Sequence, residues 1–532
     1  MMQRVDPAAV DAAWHAAWSD FLSNRVALAE RRAAPFAHMI TAVLASAASD
    51  KAPGLETDSL ADLLVTLADL AHIAGAARGD AVLLRQAVAA YDAHLERVPE
   101  NLDAMRMRAE TLLRCRDNSA AFAAFRQLHR LSSSKSTAQR PEAEVAPFQL
   151  EHDAECVEDA VRHGAEAAYL TRAAAWRELA TQLRRGHGGS DGSTDCDVLL
   201  DQDSGTRYTQ VRSLSPSQVA LLGTHGGPLP LPPPNSSVDG AAVAEWLAVG
   251  VLRADIDWVA MVRAYHTQPA AVIDDLLSPP ALAAMQAFAR HGAHFRTLRR
   301  GYLGCFPGDG AAHPLVEALA DALCLAAPPI FADHALALWW LFKYDATNPS
   351  GIGIHADPAA VNLNLWLTDD AACLEGGGLV IYSHVPDLEV PTQAVNREYA
   401  SVQAEADLRT QLMAGGDVLR VPYRCNRCAI FVSDKYHESL AFRFAPGYSN
   451  RRCNLTLLFG DRWRPITSDG RDAGLADVGR QVAPGGTSSV STNEDSAWGV
   501  FGQDGHNPSP NAVATAGGFG CSRGEDGWGV FD

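Results

Sequence analysis

An imidazole and a carboxylate two residues apart, His355 and Asp357 in Gly353-Ile354-His355-Ala356-Asp357, are the side chains of this protein best placed for chemistry. On an extended backbone, residues i and i+2 project from one face, so these two can occupy adjacent positions on a divalent metal ion. The third ligand must come from far along the chain. His437, in Phe431-Val432-Ser433-Asp434-Lys435-Tyr436-His437-Glu438-Ser439, follows a run that reads as a buried strand and is the candidate. Two imidazoles and one carboxylate leave coordination positions open, a donor set suited to non-haem Fe(II) and oxygen chemistry.

Downstream lies Gly447-Tyr448-Ser449-Asn450-Arg451-Arg452-Cys453-Asn454-Leu455-Thr456-Leu457-Leu458-Phe459. Read as a strand, it places Arg452, Asn454 and Thr456 on one face and Cys453, Leu455, Leu457 and Phe459 on the other. A guanidinium turned into a β-structure needs a carboxylate partner, because burial without one is costly. Its planar fork clasps a carboxylate at two points. Arg451 takes that place instead if the register slips by one residue.

This order of His-x-Asp, Gly-rich strand, His, then Arg with Thr four residues later resembles the Fe(II)/2-oxoglutarate-dependent dioxygenases, in particular their prolyl-hydroxylase-like branch, over roughly residues 268–460. The resemblance implies a double-stranded β-helix (jelly roll) with His355, Asp357 and His437 as iron ligands. It implies Arg452 on the distal carboxylate of 2-oxoglutarate, Thr456 beside it, and Tyr344 on the preceding strand bonding the cosubstrate. Glu375-Gly376-Gly377-Gly378-Leu379 matches the Gly-Gly-Leu turn of that family. The implied reaction is hydroxylation of a C–H bond, with ascorbate as a usable reductant. Two spacings depart from the pattern. Arg452 lies 15 residues past His437, which lengthens the connecting loop, and His355 and His437 are 82 apart, which an excursion over 385–416 accounts for.

The elements that would position these residues read as an α+β multidomain chain. Residues 1–185 are Ala-, Leu-, Arg- and Glu-rich with apolar residues at helical spacing, and 147–182 reads as a helical pair. Gly75/Ala109, Ala87/Ala121, Ala90/Ala124 and Tyr91/Phe125 each recur at a separation of 34. That period, with Pro99 closing a helix, resembles the tetratricopeptide repeat; a plain alanine-rich bundle is the alternative. Residues 186–240 contain two Gly/Pro-rich breaks and read as a linker with room for a short ordered segment. Residues 241–465 form the dioxygenase-like domain. Pro269–Asp275 reads as a strand leading to a helix near Ser278-Pro279. Short runs of period two follow at Ala335–Tyr344, Val361–Leu367, Leu379–Tyr382, Val418–Val421, Cys428–Val432 and Arg452–Phe459, with 385–416 a helical excursion. Residues 466–532 read as a disordered tail. There Trp498-Gly499-Val500-Phe501 recurs as Trp528-Gly529-Val530-Phe531, each copy after acidic residues, resembling acidic Trp-x-x-Phe peptides that dock on clathrin-adaptor ear domains.

Composition bounds the partners. Lys plus Arg is 44 and Asp plus Glu 63, a net charge of −19, which argues against nucleic acid or anionic membrane. No run of eighteen uninterrupted apolar residues points to membrane insertion, and the N-terminus lacks the pattern of a secretory signal. Ten scattered cysteines in 532 residues fit a reducing compartment, the cytoplasm or the nucleus. Cys425-x-x-Cys428 has no second pair at zinc spacing and reads as packed thiols. His384 reads as a surface histidine, His152-Asp153 as helical neighbours pointing apart, and Gly301-x-x-Gly304 and Gly308-x-Gly310 lack the setting of a phosphate loop. Helical repeats present concave surfaces for peptides, so the expected substrate is a protein or peptide side chain. The competing expectation is a scaffold whose dioxygenase-like domain is inactive.

Overall fold

Alanine-rich sequence with apolar residues every three or four positions folds here as helix after helix. The computed structural model describes residues 7–22, 26–47, 57–135, 144–185, 198–200, 207–209, 212–213, 249–299, 301–344, 351–387, 390, 392–398 and 401–462. Most of 186–240, and the whole tail with both Trp-Gly-Val-Phe motifs, lie outside the described residues.

Helices α1 (Pro7–Leu22), α2 (Val26–Ala37), α3 (Ile40–Ala47), α4 (Thr57–Arg78), α5 (Ala81–Leu95), α6 (Leu102–Arg114), α7 (Asn118–Lys135), α8 (Pro147–Arg162) and α9 (Leu170–Arg185) make up the N-terminal region. Asp80 and Asn101 cap α5 and α6 through their side chains, satisfying amides that a helix start leaves without partners. Ala87, Ala90, Tyr91, Ala109, Ala121 and Phe125 are buried, so the residues that recur at 34 mark helix–helix contacts. Such burials are expected both of tetratricopeptide-like helix pairs and of a plain alanine-rich bundle. Part of α4, Leu60–Arg78, is long and apolar enough to cross a membrane, but 83% of it is packed inside the protein.

Two small strand pairs follow: β1 (Glu144–Val145) with β4 (Arg212–Ser213), and β2 (Val198–Leu200) with β3 (Arg207–Thr209). Then come α10 (Trp258–Thr267), β5 (Ala271–Ile273), α11 (Pro279–Ala287), β6 (Thr297–Arg299), β7 (Tyr302–Cys305), α12 (Pro314–Ala326), β8 (Leu336–Tyr344), β9 (Val361–Trp366), β10 (Cys373–Gly376) and β11 (Leu379–Tyr382). Helices α13 (Thr392–Glu398) and α14 (Val402–Gly415) form the excursion, followed by β12 (Val418–Val421), β13 (Cys428–Val432), β14 (His437–Ser439), β15 (Phe442–Phe444) and β16 (Cys453–Phe459). Seven strands make one antiparallel sheet in the order β5-β13-β9-β16-β8-β7-β6, while β12-β11-β14 and β10-β15 make smaller antiparallel sheets. This arrangement is consistent with a jelly roll. The predicted strand at Ala335 begins one residue later, and the one at Arg452 begins at Cys453.

Alternation along the large sheet separates two environments. Val361, Leu363, Leu365, Cys453, Leu455 and Leu457 face the core shared with α6, α7 and α12. Trp340, Phe342, Tyr344 and Leu458 face the other way, against Phe442 and Phe444 of β15. The helical region is tied into the sheet by Phe122 of α7, stacked on Trp339 of β8 at 4.3 Å between ring centroids, with Phe125 edge-on at 5.6 Å. Phe122→Ala removes a fully buried ring from this joint and is expected to cost about 3–5 kcal/mol. Chemical denaturation checks it; a loss under about 1 kcal/mol would mean the two regions hold together without it.

Candidate functional site

His355 and His437 are brought face to face by an isolated antiparallel bridge. Each donates its backbone N–H to the other's carbonyl, at 3.0 and 2.9 Å. The Asp357 amide donates to the carbonyl of Ser433, whose hydroxyl donates back to the Asp357 carbonyl at 3.2 Å. The His-x-Asp segment is thus laced to the turn that delivers His437, and ligand-type atoms of all three side chains lie within 4.8 Å of one another. The imidazole Nε2 atoms of His355 and His437 sit 3.7 Å from Asp357 Oδ1 and 3.6 Å from Oδ2 respectively. Those separations are too long for hydrogen bonds and suit three ligands around one ion.

Tautomers follow from the partners. His355 Nδ1 lies 2.8 Å from the Gly353 carbonyl and His437 Nδ1 2.9 Å from the Lys435 carbonyl. A carbonyl only accepts, so each Nδ1 holds the proton and each Nε2 offers a lone pair, the arrangement a metal-binding histidine needs. Burial lowers His355 to about 4; burial and then the neighbouring His355 hold His437 well below its ordinary value. Burial likewise drives Asp357 well above the carboxylate range. Asp357 Oδ1 is buried with no hydrogen-bond partner among the described residues. Neutral imidazoles around a buried carboxylate with a bare oxygen fit a divalent cation, which supplies the charge the site lacks.

The other carboxylate oxygen is taken. Asn362 Nδ2 donates to Asp357 Oδ2. Asn364 Nδ2 donates to Asn362 Oδ1 at 2.7 Å, Thr456 Oγ1 to Asn364 Oδ1 at 2.8 Å, and Asn454 Nδ2 to Thr456 Oγ1 at 3.2 Å. Every donor in this row points toward Asp357. Sequence reading missed the role of Asn362; its signal was a pair of amides, Asn362 and Asn364, alternating with aliphatics on a buried strand. Thr456 belongs to this row.

Arg452 is 2% exposed. Its Nε and Nη2 donate to the Gly377 carbonyl at 3.2 and 3.1 Å, while Nη1 is buried without a partner among the described residues. The guanidinium lies over the Tyr344 ring, 4.3 Å from its centroid, and 5.4 Å from that of Phe442. The accepting carbonyl belongs to the Gly-Gly-Gly turn. Gly376 and Gly377 have φ of +66° and +80°, and a Cβ on Gly378 would fall 2.2 Å from the Val421 carbonyl oxygen, so only glycine fits there. Arg451 points elsewhere: its Nε is 2.8 Å from Glu155 of α8. Between the two arginines, Arg452 is the one whose buried charge meets no carboxylate among the described residues, and a planar guanidinium can clasp an anion at two points.

A second group, Asp159, His163 and His291, also gathers within ligand distance. There the carboxylate is already used, by Arg162 at 2.9 Å and His291 Nε2 at 2.8 Å, and among the described residues His291 Nδ1 has no acceptor for the proton that metal binding at Nε2 would place on it. It reads as an ion-pair network. His152 and Asp153, expected to point apart, instead hydrogen-bond at 2.8 Å, because the His152 Nδ1 reaches its neighbour's carboxylate within the buried side of α8. His384 is half-buried, with its ring against Gly415 and Gly416. Cys425 and Cys428 are free thiols, Cys428 fully buried.

No family model matches this chain, and no curated protein does. Among solved structures, it is similar to the non-haem α-ketoglutarate-dependent epimerase SnoN of nogalamycin biosynthesis, at 15% identity, covering 43% of this chain and 91% of that one, TM-score 0.29. It is similar to a Pseudomonas putida prolyl-4-hydroxylase at 20% identity, 38% and 99% coverage, TM-score 0.25. A third is HygX from Streptomyces hygroscopicus with nickel and 2-oxoglutarate bound, at 15% identity, 41% and 96% coverage, TM-score 0.27. At these scores the likeness carries no weight beside the geometry of the site.

Proposed function

We propose that this protein is an Fe(II)- and 2-oxoglutarate-dependent dioxygenase that hydroxylates a C–H bond. The observation that supports it most is a His355/Asp357/His437 set with open lone pairs, tied through Asn362, Asn364, Thr456 and Asn454 to the strand that Arg452 precedes, a buried guanidinium that meets no carboxylate among the described residues. Fe(II), when bound, supplies the dioxygen activation; 2-oxoglutarate, dioxygen and R–H become succinate, carbon dioxide and R–OH. The rest is done by the chain. Asp357 and the two Nε2 atoms hold the ion, Nδ1–H bonds to backbone fix the rings, and Arg452, seated on Tyr344, holds the distal carboxylate. The aromatic wall of Tyr302, Trp340, Phe342 and Phe442 keeps water from the interior behind the site, which strengthens every charge interaction there.

The favoured substrate is a protein or peptide side chain presented by the helical region, with the tail motifs as adaptor-docking segments and the cytoplasm or nucleus as the location. The test is conversion of 2-oxoglutarate to succinate by purified protein with Fe(II) and ascorbate, without added substrate. Wild type is expected to turn over slowly and His355→Ala not at all. Equal succinate from both would remove the assignment.

A further inference from the structure

The excursion between β11 and β12 touches the candidate metal centre at unusual places. Asn396 of α13 forms two hydrogen bonds with Ala356, the residue between His355 and Asp357: its Oδ1 accepts from the Ala356 N–H at 3.0 Å and its Nδ2 donates to the Ala356 carbonyl at 3.1 Å. Arg409 of α14 grips Glu438, the residue after His437, through Nε at 3.1 Å and Nη2 at 2.5 Å. Glu405 lies against Gly353, whose carbonyl accepts the His355 Nδ1 proton; a Cβ on Gly353 would be 3.1 Å from both Glu405 oxygens. Val395, Leu408 and Leu412 pack on Ile354 and Tyr436, the residues preceding His355 and His437.

The root of the excursion is held as well. Arg462, 3% exposed, donates to Asp434 at 3.0 Å and to the Asp387 and Val390 carbonyls at 3.0 and 2.7 Å. Asp434 sits in the turn that delivers His437. Each contact therefore falls within three residues of a proposed ligand, on the backbone or on a neighbour, and none uses the ligand side chains themselves.

We propose that α13 and α14 are a buttress of the metal centre, so that docking of this helical pair and metal binding are thermodynamically linked. This rests on the metal reading above. Asn396 and Arg409 are positioning residues: by holding Ala356 and Glu438 they keep His355, Asp357 and His437 converged. Linkage is reciprocal, so a bound ion must also hold the helices down.

Co(II) alone is the probe, on the full chain. Its affinity is read by competition with a chromophoric chelator, and docking by hydrogen exchange of the 392–415 amides. Exchange is expected to slow by about tenfold when Co(II) saturates the wild type. Asn396→Ala and Arg409→Gln should each weaken Co(II) binding by about 10- to 100-fold and shrink that protection. Asn396→Asp, which keeps the acceptor for the Ala356 N–H, should recover part of the affinity. Gln403→Ala on the exposed side of α14 should change neither readout. Wild-type affinity in both Asn396→Ala and Arg409→Gln, or exchange indifferent to Co(II), overturns the linkage while leaving the metal centre standing. A wild type that binds no Co(II) overturns the metal reading, and the linkage with it.

Discussion

Asp357→Ala is expected to weaken Co(II) binding by more than about 100-fold, and Asn362→Ala by about 10- to 100-fold, since outer partners of metal ligands alone are worth that range. The order follows from the hydrogen bonds. Among the described residues Asp357 supplies the carboxylate that faces both Nε2 atoms, Oδ1 toward His355 and Oδ2 toward His437, and Asn362 donates to Oδ2. Losing Asn362 frees the carboxylate to rotate and leaves Asn364 Nδ2 without its acceptor, so orientation suffers while the charge remains. Losing Asp357 removes the charge that attracts the ion. Chelator competition on the three proteins checks the ranking. An Asn362→Ala protein that binds more weakly than Asp357→Ala would mean the metal sits elsewhere.

How legible this was from sequence depended on the length and purity of each pattern. Leu379–Tyr382, Val418–Val421 and Cys428–Val432 were read with their observed limits, because apolar runs there end at Gly, Pro or Asn. His437–Ser439, Phe442–Phe444 and Cys373–Gly376 were not read as strands. Each is three or four residues long and interrupted by Glu438, Arg443 or Glu375, whose side chains point away from the apolar interior or into salt bridges. Ser278 and Pro279 marked the start of α11 as they should, proline being suited to the first helical turn. The His-x-Asp pair and His437 were legible as residue types, and the structure brings them together. The amide clasp of Asn396 on Ala356 was not. It joins residues 40 apart through an asparagine that looks like any other polar residue on a short helix. The choice between Arg451 and Arg452 hangs on a one-residue register, and the ion pair of Arg451 with Glu155 of α8, far upstream in the chain, was not legible in the sequence.

Arg452→Met is expected to push stability and turnover in opposite directions. The guanidinium is buried and has one carbonyl and two aromatic faces for company, with Nη1 unpartnered among the described residues. Replacing a buried ion pair by apolar side chains of similar volume is often stabilising by about 1–4 kcal/mol; Arg452 bears the desolvation cost without a paired carboxylate among the described residues, so a rise of about 1–3 kcal/mol is expected here. The same change removes the anchor for the cosubstrate. A charge-assisted hydrogen bond is worth about 1.5–3 kcal/mol, so the KM for 2-oxoglutarate should rise by about 10- to 150-fold, at 1.4 kcal/mol per decade. Arg451→Met is the contrast. It breaks the contact with Glu155, whose side chain is 22% exposed, and should lower stability by about 1–3 kcal/mol with KM little changed. Denaturant titration and succinate kinetics on the two variants separate the roles. If Arg451→Met raises KM and Arg452→Met does not, the cosubstrate carboxylate lies on the other face of the sheet, and the guanidinium over Tyr344 serves packing alone.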